Sequence, residues 1–146
     1  MWNLKDKTVV ITGATNGIGK AAALELAKHG PKLLLTFRNQ ELADNLLAEI
    51  KTAAPDVSVE IIYCDFSMQS SIRECSKEII ASQDKIDVLI NNAGVVNTSY
   101  HETSEGIENT FAVNHLGYFL FTNLLLNKMK GPEESRIINV SSAAHS

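Results

Sequence analysis

The residues best suited to chemistry begin with Thr12-Gly13-Ala14-Thr15-Asn16-Gly17-Ile18-Gly19. Glycines at 13, 17 and 19 let a backbone turn sharply and come close to a ligand. A helix that opens there presents unpaired N–H groups, which suit a phosphate. The spacing is Gly-x-x-x-Gly-x-Gly, not the Gly-x-Gly-x-x-Gly of the commonest dinucleotide fingerprint. A tight strand-to-helix turn would need glycines as well. Position favours the phosphate: the cluster follows an apolar run of strand length and opens a helical pattern.

Further candidates stand at the ends of later apolar runs. Thr36-Phe37-Arg38-Asn39 holds no acid and one Arg. An acid there would bind a ribose 2′-hydroxyl, whereas an Arg accommodates a 2′-phosphate, so NADP is expected over NAD. The bland alternative is a solvated Arg38 at a helix start. In Cys64-Asp65-Phe66-Ser67, the Asp65 carboxylate can accept from an adenine amino group or cap the next helix. Asn91-Asn92-Ala93-Gly94 lets a ligand approach the backbone, with Asn side chains bridging loops, although an ordinary turn has the same composition. Asn114, amid apolar neighbours, needs a buried carbonyl or a water chain as partner. Ser141 and Ser142 end the last strand-like run.

These loops need a scaffold, and the apolar pattern supplies one. Thr8–Ile11, Lys32–Phe37, Val57–Tyr63, Ile86–Ile90 and Arg136–Val140 read as strands. Between them run helical patterns: Ile18, Ala22 and Leu26, stopped by Gly30-Pro31; Leu42, Leu46, Leu47 and Ile50, capped by Asn39; and Ile72, Cys75 and Ile79, opened by Ser67 or Ser70. A long helix over 104–130 is apolar nearly all round, which predicts cover on two sides, from the sheet and from a partner subunit in a homodimer. Alternating strands and helices predict an α/β fold with a doubly wound parallel sheet. Such sheets bind ligands outside the carboxyl ends of their strands, where the loops above lie.

Composition narrows the function classes. The chain has 146 residues, a net charge of −4, 45% apolar and 21% charged residues, so it is ordinary globular material for one domain. The acidic balance, without a Lys/Arg run, argues against nucleic acid as a partner. Two cysteines, Cys64 and Cys75, are too few for a disulfide framework or a Cys-built metal site, and suit a reducing compartment such as the cytoplasm. The stretch Leu116–Leu126 is too short to span a bilayer, and attachment to a membrane by other means stays open.

Together the loops resemble the short-chain dehydrogenase/reductase family, whose members use a Rossmann-like fold and NAD(P). Val113-Asn114-His115-Leu116-Gly117 and Ile138-Asn139-Val140-Ser141-Ser142-Ala143-Ala144-His145 resemble its retinol-dehydrogenase-like branch. The resemblance implies that Thr12, Gly13, Thr15, Asn16, Gly17, Ile18 and Gly19 surround the cofactor phosphates. It places Arg38 and Asn39 at the 2′-phosphate, Asp65 and Phe66 at adenine, and Asn92, Ala93 and Gly94 beside the adenosine. Of the family's Asn, Ser, Tyr and Lys, Asn114 matches the first and Ser142 the second. The implied reaction is hydride transfer between nicotinamide and a small-molecule alcohol or carbonyl substrate, retinoid-, steroid- or lipid-like.

The family's Tyr-x-x-x-Lys is absent from these residues: Tyr63, Tyr100 and Tyr118 are followed at i+4 by Ser67, Ser104 and Thr122. Residues 1–146 therefore read as the N-terminal portion of a longer Rossmann-like domain, inactive by themselves. A naturally short nucleotide-binding or dimer-partner module is the alternative. A sugar-nucleotide epimerase is a third reading, opposed by the glycine spacing and by Asn-Asn-Ala-Gly.

Overall fold

In the computed structural model, which describes residues 3–131 and 133–143, the β-branched run Thr8–Ile11 is the central strand β1. Helix α1 (Gly17–Ala27), β2 (Lys32–Phe37), α2 (Gln40–Ala53), β3 (Ser58–Tyr63), α3 (Gln69–Ser82) and β4 (Val88–Asn91) follow in turn. A short α4 (Asn109–Phe111) runs through a π-turn (Ala112–Leu116) into α5 (Gly117–Met129), and β5 (Arg136–Asn139) ends the sheet. All strands are parallel, in the order β3-β2-β1-β4-β5, so the expected doubly wound α/β fold is present. Its strand order reverses between β1 and β4, where such sheets open a crevice.

The period of two along each strand divides the core. Val10, Leu34, Ile62 and Leu89 face Ile72, Cys75 and Ile79 of α3 and Phe121, Leu125 and Met129 of α5. Val9, Ile11, Leu33 and Leu35 face Ala23 and Ala27 of α1 and Leu46 and Ile50 of α2. One sheet thus separates two helical layers, and its carboxyl edge is left for the loops. Among the described residues, no helix is long and apolar enough to cross a membrane.

Several local expectations are corrected. The fully buried residues of α1 are Gly19, Ala23 and Ala27; Leu26 is half-buried and packs against the same core, whereas Ile18 is 69% exposed. Neither Ser67 nor Ser70 caps α3; the Glu105 carboxylate accepts the Gln69 N–H at 3.1–3.2 Å instead. In β3, Ile62 is buried and Tyr63 is 52% exposed, since this edge strand is covered on both faces only in part. The helix expected over 104–130 begins at Asn109, where the Glu108 carboxylate accepts the Thr110 and Phe111 N–H groups at 2.8 and 2.7 Å. Strand β4 is offset from the expected Ile86–Ile90, whereas β5 begins at Arg136 as expected and ends at Asn139 instead of Val140. Asn39 caps α2 as expected, accepting the Leu42 N–H at 3.0 Å.

Candidate functional site

At the switch between β1 and β4 the chain leaves an open cleft of about 480 Å³. Its walls come from four strand ends and their loops: Gly13, Thr15, Asn16, Gly17 and Ile18 after β1; Thr36 and Phe37 at the end of β2 with Arg38 after it; Cys64, Asp65 and Phe66 after β3; and Asn92, Ala93, Gly94 and Val95 after β4. Val113 and Val140 complete it. The structure therefore gathers most of the predicted binding residues into one place.

The glycines of the first loop have separate reasons. Gly13 has φ +63°, and a Cβ there would lie 2.7 Å from Ala93 Cα. A Cβ on Gly19 would come within 2.3 Å of both Asn92 Nδ2 and the Gly13 carbonyl oxygen. Those two glycines are required by contact between loops. Gly17, at φ +53°, has nothing within 4 Å of where a Cβ would be, so it faces open space in the cleft. Helix α1 starts at that residue without a side-chain cap: the Asn16 side chain accepts no bond from the first turn, while its carbonyl takes the Lys20 N–H at 3.1 Å. The N–H groups at the start of α1 thus meet an open cavity, the condition under which a helix end attracts an anion.

Three predicted residues work behind the wall. Thr12 is fully buried, and its Oγ1 accepts the N–H groups of both Asn92 and Ala93 at 2.9 Å, with a 3.4 Å donation to the Ile90 carbonyl. Gly19 is buried at the loop contact, and Asn39 is used as the α2 cap. Asn92 faces the cleft and also braces it, its Nδ2 donating to the Thr12 and Gly13 carbonyls at 3.1 and 3.0 Å.

Charge is sparse in the cleft. Arg38 is exposed on its rim and makes no ion pair among the described residues. Asp65 does not cap α3; its Oδ1 accepts the Ser67 N–H at 2.9 Å and the Ser67 hydroxyl at 2.7 Å, closing a turn before the helix. The Cys64 thiol is held far above its ordinary range, first by hydrogen bonding with Cys75 and then by burial, so it is a packing residue and not a nucleophile at neutral pH. Among the described residues there is no cluster able to hold a metal ion.

A second layer was not anticipated from the sequence. The extended segment 91–95 is bonded along its odd residues to every fourth residue of the following helix. Asn91 Nδ2 donates to Thr122 Oγ1 at 3.0 Å, the Tyr118 hydroxyl donates to the Ala93 carbonyl, and Asn114 holds both the N–H and the C=O of Val95 at 2.9 and 2.8 Å. Two extended residues advance about 6.6 Å and four helical ones about 6 Å, so the two periods keep step. Asn114, for which a buried carbonyl or a water chain is the expected partner, is exposed within the π-turn and bonds the Val95 backbone. The signal lay in the i+4 spacing of Asn114, Tyr118 and Thr122 along the helix. Burial raises the Tyr118 hydroxyl to about 12, which keeps it a donor at neutral pH.

Ser142 follows β5 and is exposed; it is not part of the cleft wall, although Val140 two residues earlier is. Asn139, at the end of β5, accepts from Asn91 Nδ2 at 2.8 Å and so fixes this strand end to β4. Ala144 and His145 of the branch-like run lie outside the described residues.

Comparison with known proteins agrees with this architecture. The family model described as short chain dehydrogenase matches residues 7–146. Human retinol dehydrogenase 13 is 45% identical over 139 residues, which cover 95% of this chain and 42% of that protein. The chain thus spans less than half the length of that curated relative. A metagenomic short-chain oxidoreductase solved in complex with NADP is 30% identical, with a TM-score of 0.81 over 95% of this chain and 63% of that one. A short-chain dehydrogenase/reductase from Burkholderia phymatum solved with NAD is 25% identical, with a TM-score of 0.82 over 99% of this chain and 52% of that one.

Proposed function

Because the chain belongs to the short-chain dehydrogenase family, we propose that it is the cofactor-binding part of an NADP-dependent oxidoreductase acting on an alcohol or carbonyl substrate. The observation that carries this reading is the uncapped start of α1 at Gly17, open to a cleft whose rim holds the exposed Arg38. Bound there, the cofactor supplies or accepts a hydride. The first-turn N–H groups of α1 bind its pyrophosphate, with Thr15, Asn16 and Ile18 around them. Arg38 takes the 2′-phosphate through charge-assisted bonds. Asp65, beside Phe66, accepts from the adenine amino group, and the Asn92–Gly94 turn packs along the adenosine. Solved relatives occur with NADP and with NAD, so the preference rests on Arg38.

On the substrate side, Ser142 orients the reacting oxygen. Asn114 acts through Val95: its amide is committed to that backbone, so it shapes the cleft wall instead of contacting substrate. Likeness to retinol dehydrogenases supports a retinoid or other lipid-like carbonyl as the substrate class. Residues 1–146 hold no Tyr-x-x-x-Lys to move the proton, and by themselves they are expected to bind cofactor without turnover. Free, buried Cys64 and Cys75 suit a reducing compartment such as the cytoplasm.

The test is calorimetric titration of the chain with NADPH and NADH, followed by incubation with NADPH and all-trans-retinal. Tighter binding of NADPH with no steady oxidation is expected. Absence of binding to either dinucleotide, or sustained turnover, would overturn the corresponding half of the proposal.

A second reading is a module that works by pairing with another copy. Phe119 on α5 is 65% exposed and Phe111 50%, which favours a partner over the helical face. Sedimentation velocity of the chain and of Phe119→Glu tests it; a dimer that Phe119→Glu dissociates is expected, and a monomer throughout sinks it.

A further inference from the structure

Ala93 is fixed from three directions. Its N–H is taken by Thr12 Oγ1 at 2.9 Å, its Cα stands where a Cβ on Gly13 would have to be, and its carbonyl accepts the Tyr118 hydroxyl. The first two fastenings come from the glycine loop. The third comes from Tyr118 of α5, an element separate from the glycine loop. Tyr118 is itself held in place: Gly117 beside it is packed against Phe66, and the helix is tied at Asn114 and Thr122 to the same segment.

From this geometry we infer that Tyr118 is a positioning residue for the dinucleotide cleft. By donating to the Ala93 carbonyl, its hydroxyl fixes the Asn92–Gly94 turn beside the glycine loop and so sets where the uncapped start of α1 meets the cofactor phosphates. The inference rests on the nucleotide reading above and deepens it. If Ala93 shifts, Gly13 loses the surface it is packed on, and Asn92 loses the position from which its amide braces the Thr12 and Gly13 carbonyls. The hydroxyl touches no cofactor in this scheme; it acts through two backbones.

The chain and its Tyr118→Phe variant are compared by NADPH titration, by thermal melting and by amide hydrogen exchange. Thr52→Val serves as a control, since it deletes another hydroxyl-to-carbonyl bond, to Ala48 in α2, away from the cleft. Tyr118→Phe is expected to weaken NADPH binding about five- to tenfold, the loss typical of one hydrogen bond. Exchange at the Asn92 and Ala93 amides should quicken, whereas Thr52→Val should alter neither quantity. Wild-type NADPH affinity in Tyr118→Phe, or equal weakening in both variants, overturns the inference. Failure of the unmodified chain to bind any dinucleotide is a different result: it removes the nucleotide reading itself, and this inference with it.

Discussion

Gly13 and Ala93 touch backbone to backbone: a Cβ on Gly13 would fall 2.7 Å from Ala93 Cα, and Gly13 is also at φ +63°. Two costs therefore add at one residue. A left-handed conformation in a residue with a Cβ costs about 1–2 kcal/mol, and overpacking against backbone costs about 1–3 kcal/mol more. Gly13→Ala is expected to lose about 2–5 kcal/mol in denaturant unfolding together with NADPH binding. Gly17→Ala bears only the first cost, because nothing lies within 4 Å of its Cβ position. It should lose only about 1–2 kcal/mol in unfolding and yet bind NADPH weakly, since its methyl enters the cleft. Equal destabilisation by the two substitutions would contradict this division of roles.

Arg38 is the cleft residue whose removal should alter selectivity without altering the fold. It is exposed and makes no ion pair among the described residues, so nothing buried depends on it. Bonds to a charged partner contribute about 1.5–3 kcal/mol, a factor of roughly ten to a hundred. Arg38→Ala should reduce the NADPH/NADH affinity ratio by that factor, with an unchanged melting temperature. An unchanged ratio in parallel titrations would remove the 2′-phosphate assignment.

At the opposite end of the sheet, Glu133 accepts from Lys85 at 2.8 Å and Lys7 at 3.1 Å, which holds its carboxyl down at about 2. A carboxylate lowered on folding stabilises above its unfolded value near 4.5, and that contribution fades as pH falls toward 2. The group is exposed and screened, so the effect is small. Glu133→Gln should melt slightly below wild type at pH 7, and the gap should close between pH 4.5 and 2. A gap that persists at pH 2 would show that the loss is not electrostatic.

How much of this could be read in advance follows from what a sequence pattern encodes. The parallel sheet was legible because strands buried on both faces are written as β-branched or leucine runs, as in Thr8–Ile11 and Lys32–Phe37. The gathering of Gly13, Arg38, Asp65 and Asn92 was legible because topology alone brings those strand ends together. Illegible were the places where smallness decides: Gly19, Ala23 and Ala27 are the buried residues of α1 while Ile18 is exposed, since hydrophobicity does not report how closely two backbones approach. The π-turn was hidden for a similar reason. No residue type marks it, and Asn114, which bonds Val95, lies within it.

Gly117 gives the most discriminating test of that close approach, because two effects of opposite sign meet there. It ends the π-turn with ordinary helical φ and ψ of −60° and −45°, so alanine fits its backbone. Helix propensity alone would make Gly117→Ala stabilising by about 1 kcal/mol. Against this, the added Cβ would stand 2.9 Å from Phe66 Cδ1 and 3.3 Å from the Phe66 carbonyl oxygen. The Phe66 ring has little freedom to yield: it is 6% exposed and packed edge-on to the fully buried Phe121 with centroids 5.3 Å apart. Overpacking of this kind costs about 1–3 kcal/mol, and it should outweigh the propensity gain. Urea unfolding of Gly117→Ala is therefore expected to show a net loss. In the double variant Gly117→Ala/Phe66→Leu the loss should shrink relative to Phe66→Leu alone, because the smaller side chain removes the ring atom nearest the new methyl. A stabilised Gly117→Ala would mean that α5 can lift away from Phe66, and with it Tyr118 from Ala93.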